Sequence, residues 1–140
     1  EFLDNGYVAT VKEAFATLLK EKHGFYVAPK RPDAYDTIAF IRTLGAVPVL
    51  AHPMRSELAQ PALHALIHSP MDRGLAGVEA YHPSANARAA RMLDGLARQE
   101  NLLVTGGSDY HGSNKKDIQL GQLGYDWTVD TENLYGIICK

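Results

Sequence analysis

Cysteine is almost absent from this chain: Cys139 is the only one among 140 residues. A single thiol closes no internal disulfide and builds no multi-cysteine zinc site, and such usage fits a reducing compartment, the cytoplasm. Net charge is scarce as well. Fourteen Lys and Arg against sixteen Asp and Glu leave a formal charge of −2, so no whole-molecule basic field draws in nucleic acid and only a local patch could do so. Long apolar runs are missing: none approaches the roughly 20 residues of a membrane-spanning helix. No basic-then-apolar signal segment opens the chain, and no solenoid repeat or low-complexity stretch interrupts it. A starting methionine is lacking too. The opening Glu1-Phe2-Leu3-Asp4 reads as a helix tail, and the expectation is a piece of a longer protein.

What is present is a core. The apolar fraction is 46% and the charged fraction 21%, the proportions of one globular domain. Thr10 with Glu13 three residues later is a capping box, and Val11, Ala14, Phe15, Leu18 and Leu19 form a helical stripe that ends at His23-Gly24. Phe25–Pro29 reads as an extended linker. Arg31-Pro32-Asp33 opens a helix that runs to about Leu44 and is stopped by Gly45. Strands follow at Ala46–Ala51, Gly77–Tyr81 and Leu102–Thr105. Helices are expected between them over Glu57–His68, kinked or delayed by Pro61, and over Ser84–Gln99, with Ser84 as cap. Ile118–Leu120 and Trp127–Val129 could be short closing strands. Strand and helix in alternation argue an α/β fold with a parallel sheet. Three to four such units are about half of a barrel, so residues 1–30 are read as a helical segment with its linker and 31–140 as the βα units.

Each strand ends in a motif. Ala51-His52-Pro53 follows the first, Glu79-Ala80-Tyr81-His82-Pro83 closes the second, and Ser108-Asp109-Tyr110-His111-Gly112 follows the third. In a barrel of βα units the carboxyl ends of the strands converge on one face. Three histidines and an aspartate would then meet there, and imidazole and carboxylate are the donors that divalent transition metals use. The pattern points to a metal-dependent hydrolase. Asp109 and His111, two apart in an extended segment, would point the same way, with Gly106 and Gly107 giving the backbone room.

Plainer readings stand beside these. A lone histidine at a strand end is usually a hydrogen-bonded core residue, which applies to His52, and Ser108-Asp109 could simply cap a turn. Glu79 could orient a ligand histidine or sit in a barrel salt bridge. His64 and His68, four apart on a helix, could share a metal, but no Glu follows His64 and they read as surface residues, as does His23. Arg55, and likewise Lys115 and Lys116, could fork onto a phosphate or be solvated loop residues. Cys139 and Trp127 read as packing or terminal residues.

Taken in order, Ala-His-Pro, Gly-Val-Glu-Ala-Tyr-His-Pro and Gly-Gly-Ser-Asp-Tyr-His-Gly resemble the later motifs of the polymerase and histidinol phosphatase (PHP) domain family. Gly6-Tyr7-Val8, Val11-Lys12-Glu13-Ala14-Phe15 and Tyr26-Val27-Ala28-Pro29 resemble the end of a helical insertion in one branch, that of nucleoside 3′,5′-bisphosphate phosphatases and 5′-to-3′ exoribonucleases. The resemblance implies the C-terminal half of a distorted (β/α)₇ barrel, preceded by the end of that insertion. It implies a cluster of divalent metals (manganese, iron, zinc or magnesium) and phosphoester hydrolysis on a phosphorylated small molecule, such as a nucleoside bisphosphate, or a short RNA. It carries over His52, Asp109 and His111 as metal ligands, His82 as a ligand or substrate contact, and Arg55 as a contact to substrate phosphate. His111 or His82 would protonate the leaving group. The family's opening His-x-His is not in this chain, so the N-terminal half of the barrel is expected as a partner and the isolated fragment is expected to be inactive. Its open sheet edge could pair with a second copy. The rival readings are an amidohydrolase-type metal enzyme and a non-catalytic PHP module.

Overall fold

The structure is a computed structural model that describes residues 1–21, 25–121 and 123. The expectations for His23, Trp127–Val129 and Cys139 lie outside the described residues. The chain divides between Pro32 and Asp33 into two compact units.

In the first unit, Asn5 and Tyr7 donate backbone hydrogen bonds to the carbonyls of Glu1 and Phe2, so the opening is a turn and not a helix tail. Helix α1, Val11–Ala16, starts as the capping box requires. Thr10 Oγ1 accepts the Glu13 N–H at 3.0 Å, and the Glu13 carboxylate reaches one residue further back, to the Ala9 N–H at 2.8 Å. The helix is shorter than its apolar stripe. Thr17 leaves the helical backbone region (φ −121°, ψ −83°), with its hydroxyl on the Glu13 carbonyl at 2.7 Å. Of the stripe only Ala14 is buried, whereas Val11 and Phe15 are exposed.

In the second unit, Asp33 caps helix α2, Ala34–Thr43, accepting from the Tyr35 and Asp36 N–H groups. Gly45, at φ +72°, takes the left-handed position that stops it. Strand β1 is only Val49–Leu50; β2 is Gly77–Tyr81 and β3 is Leu103–Gly106. They form one parallel sheet in the order β1-β2-β3. The expected closing strand at Ile118–Leu120 is irregular backbone. Helix α3 is Gln60–His68, delayed to the turn that holds Pro61, and α4 is Ala87–Gln99. The cap of α4 is Asn86, whose side chain accepts the Ala89 N–H at 2.9 Å; Ser84 is engaged elsewhere.

The core lies where the helices cover the sheet. Leu63 and Ile67 of α3, Val78 and Ala80 of β2, Leu93 and Ala97 of α4, and Leu102 form one buried cluster. Each large apolar side chain so buried contributes about 1.5–3 kcal/mol before chain entropy is counted. The described strands form an open three-stranded parallel sheet and not a closed barrel. No helix among the described residues is long and apolar enough to cross a membrane.

Candidate functional site

The carboxyl ends of the three strands carry the predicted residues, and two irregularities aim them. The first is in β2. Glu79 pairs with Thr105 but Tyr81 pairs with Gly106, so two steps on β2 oppose one on β3. Bulges of this kind re-aim the side chains that follow. Without one, His82 would share the helix-covered face of Val78 and Ala80. Instead Tyr81 packs against the core cluster, and His82 turns to Asp109 with Nε2 4.0 Å from Oδ2.

The second is backbone strain. His52 (φ 33°) and Asp109 (φ 57°) both occupy the left-handed region, which non-glycine residues rarely adopt. Such conformations cost about 1–3 kcal/mol each, and the surrounding structure must hold them. Glu79 holds the first. Its Oε2 accepts the His52 backbone N–H at 2.8 Å. Its Oε1 lies 2.5 Å from where a side chain on Gly107 would begin, so a larger residue there would have to displace that carboxylate. Glu79 thus holds the end of β1 from β2, and the bond is to the backbone of His52, not to its ring.

Asp109 is the centre of the cluster. Lys115 Nζ hydrogen-bonds its Oδ2, and Arg55 Nη1 stands 3.8 Å from the same oxygen. His111 Nδ1 is 3.5 Å from Oδ1. The hydrogen bond from Lys115 is the main reason that the Asp109 carboxyl is held below the usual carboxylate range; burial opposes it, and the charges on Lys115, His111 and His82 add to it. Asp109 and His111 were expected to align along an extended segment. They meet in a turn instead, because Asp109 is left-handed and the His111 ring folds back so that Nδ1 lies 2.6 Å from the Asp109 carbonyl oxygen. That oxygen can only accept, so Nδ1 carries a proton, and in the neutral ring the lone pair is on Nε2. Histidine ligands are commonly fixed in this way.

His82 has the opposite tautomer. It is 5% exposed. The backbone N–H of Ser84, which can only donate, reaches its Nδ1 at 3.0 Å, and the Ser84 hydroxyl lies 2.7 Å from the same atom. With Nδ1 accepting, the neutral ring bears its proton on Nε2. That atom is buried and has no hydrogen-bond partner. Burial pushes the imidazole below the usual histidine range, and the Glu79 and Asp109 carboxylates oppose the shift. His82 therefore presents a desolvated N–H and not a lone pair, which suits an oxyanion rather than a metal. The His52 ring lies beside it, with centroids 5.3 Å apart. Ser84 is the residue that sequence reasoning missed, having been read as a helix cap; the signal was its place two residues after a strand-end histidine.

The structure thus brings His52, Arg55, His82, Asp109 and His111 to one face, with Lys115 added. Lys116 has no contact to Asp109 among those described. Two imidazoles and a carboxylate are a donor set that suits a divalent transition metal, and His111 offers a free nitrogen. Among the described residues no three His, Cys, Asp or Glu side chains are already closed around one point.

Strand-end imidazole and carboxylate donors on a parallel α/β sheet place the chain beside metal-dependent hydrolases assembled from βα units. No family model matches it. Over 80 residues, 57% of its length, it is 35% identical to the phosphoribosyl 1,2-cyclic phosphate 1,2-diphosphodiesterase of Eggerthella lenta, and covers 29% of that protein. A crystal structure from Bifidobacterium adolescentis, provisionally described as a metal-dependent phosphoesterase, matches with a TM-score of 0.76 at 29% identity, over 99% of this chain and 47% of that one. A structure of an amidohydrolase from Chromobacterium violaceum, with bound sulfate and no metal, matches with a TM-score of 0.68 at 23% identity, over 87% of this chain and 44% of that one. This last likeness is one of fold alone. The chain spans less than half the length of each of these proteins.

Proposed function

We propose that the protein to which this chain belongs is a metal-dependent phosphoesterase that hydrolyses ribose phosphoesters, in a nucleoside bisphosphate, a phosphoribosyl cyclic phosphate or a short RNA. The observation that carries the reading is the ring of cations and N–H donors around one carboxylate: Arg55, Lys115 and the orphaned Nε2–H of His82 all face Asp109. Such a surface is built for an anion. A phosphoryl group has three oxygens for these donors, and guanidinium matches it bidentately.

His52, Asp109 and His111 would hold a divalent cation (manganese, iron, zinc or magnesium), with further ligands from the part of the matched structures that this chain does not cover. When bound, such a cation supplies Lewis acidity toward phosphoryl oxygens and toward water. The chain's own residues do the rest. Glu79 holds the His52 backbone. The Asp109 carbonyl keeps the His111 proton on Nδ1. Arg55 and Lys115 orient the substrate phosphate and offset its charge. The buried Nε2–H of His82 hydrogen-bonds the phosphoester oxygen on which charge develops, and the ring keeps its proton.

The test uses the full-length protein. Phosphate release from ribose phosphoesters and metal content are measured together for the natural protein and for Asp109→Asn. Asp109→Asn should lower phosphate release by more than about 100-fold and deplete the bound metal, since even partners of ligands are worth 10–100-fold. Amide cleavage without phosphate release would replace this reading by the amidohydrolase one. Full metal content in Asp109→Asn would remove Asp109 from the ligand set.

A further inference from the structure

His64 and His68 play no part at the strand ends. They stand on the solvent side of α3, 50% and 60% exposed, with ring centroids 5.8 Å apart and planes 26° from parallel. Glu100, the residue that caps the C-terminus of α4, faces both of them. Its Oε1 is 3.8 Å from His64 Nε2, and its Oε2 is 3.5 Å from His68 Nδ1. Two imidazole nitrogens from one helix therefore face the two oxygens of a carboxylate from another, without yet being closed around one point.

We propose that His64, His68 and Glu100 form a second divalent transition-metal site, independent of the strand-end cluster and of the reaction proposed for it. Three observations support it. The first is spacing. In a tetrahedral site with bonds of about 2.0–2.2 Å, a nitrogen and an oxygen ligand lie about 3.4 Å apart. The two separations exceed that by only tenths of an ångström, and exposed side chains close such a gap by small rotations. The second is preorganisation. Leu63 and Ile67 on α3 share one buried core with Leu93 and Ala97 on α4, so the backbones that carry the ligands are already fixed relative to each other. The third is electrostatic. The last carbonyls of α4 give that helix end a partial negative charge, and a carboxylate at its cap adds to it. A glutamate there opposes the helix dipole unless a cation joins it.

The ligand chemistry sets the class of ion. Two imidazoles and one carboxylate select zinc, cobalt, nickel or copper over magnesium, which prefers oxygen alone. Three protein ligands leave a fourth position open. His64 also lines a groove of about 300 Å³, with Leu63, Arg91, Met92, Leu96 and Gln99.

The test is titration of Ni²⁺ into the full-length protein as purified, followed by calorimetry, with circular dichroism to show that each variant is folded. The natural protein should bind one Ni²⁺ that the double variant His64→Ala, His68→Ala does not bind. Glu100→Gln should weaken this site at least about tenfold, because loss of a ligand costs no less than loss of a ligand's partner. Asp109→Asn should leave the site intact, so its failure is separate from any failure at the strand ends. Excess Mg²⁺ should not compete. Equal Ni²⁺ stoichiometry and affinity in the double variant would overturn the proposal. Unchanged affinity in Glu100→Gln would reduce the site to a bare histidine pair on one helix and overturn the three-ligand assignment.

Discussion

His82 at the end of β2 is 5% exposed and has a buried ring nitrogen with no partner, whereas His64 and His68 on α3 are 50% and 60% exposed and both turned to one glutamate. The helix cluster needs only the 3.6-residue period, which puts residues four apart on one face, and a neighbour at the right height. The strand-end cluster needs three parallel strands in register, a bulge after Glu79 and two left-handed residues. The cost of assembly differs accordingly. One cluster stores backbone strain at His52 and Asp109 and buries His82, although its His111 and Arg55 are 54% and 58% exposed; the other is an unstrained arrangement of solvated side chains. The comparison teaches that similar donor types signal different roles according to what holds them. Buried and strained groups are held in place by long-range contacts, and exposed unstrained ones by little beyond their own helices.

His82→Ala probes the buried end of that contrast and should have the largest effect. If the His82 Nε2–H hydrogen-bonds the charge that develops on the reacting oxygens, phosphate release by the full-length protein should fall by about 10²–10³-fold, the usual worth of one such donor, while the metal content stays unchanged. Loss of metal would show that the ring binds through a lone pair and that Ser84 does not set its tautomer. Arg55→Ala should come next. It removes one charged hydrogen bond worth roughly 1.5–3 kcal/mol, so the Michaelis constant for a doubly phosphorylated ribose should rise about ten- to a hundredfold with kcat little changed. A smaller rise for a singly phosphorylated substrate would place Arg55 on the non-reacting phosphate; an unchanged constant would return it to solvent.

Gly107→Ala tests strain and packing rather than chemistry. The added carbon would meet the Glu79 carboxylate at 2.5 Å. Thermal unfolding should show a loss of about 1–3 kcal/mol, as overpacking does, and backbone amide signals of His52 should shift with it. Unaltered stability would mean that the end of β3 is free to move away. His64→Ala should do least. At a half-exposed helix position the change in stability should stay within about 0.5 kcal/mol, and phosphate release should be that of the natural protein. A large loss of stability would show that the helix cluster, too, is built into the fold.

Much of the frame is legible in the sequence because it rests on local rules. Thr10, Asp33 and Gly45 act where capping chemistry puts them, and β2 begins and ends where its apolar residues do. Helix lengths were less legible. The stripe through Leu19 suggests a long α1, but the backbone leaves the helix at Thr17, and of that stripe only Ala14 is buried. The cap of α4 is Asn86, because the helix starts at Ala87, and the Ser84 hydroxyl lies against Nδ1 of a buried histidine.

The sequence by itself determined which residues stand at the ends of the strands, since alternation of apolar runs with helical patterns is a property of neighbours along the chain. It also determined that His64 and His68 share a helix face. Only the tertiary structure decided what those residues touch. The bulge that turns His82 inward comes from pairing between β2 and β3, and the reach of Glu79 to His52 spans 27 residues. The meeting of Glu100 with the α3 histidines depends on two helices sharing one core. Proton positions follow from such contacts, because a ring nitrogen becomes a donor or an acceptor according to the partner placed against it. That partner is fixed by packing in three dimensions, and no one-dimensional period records it.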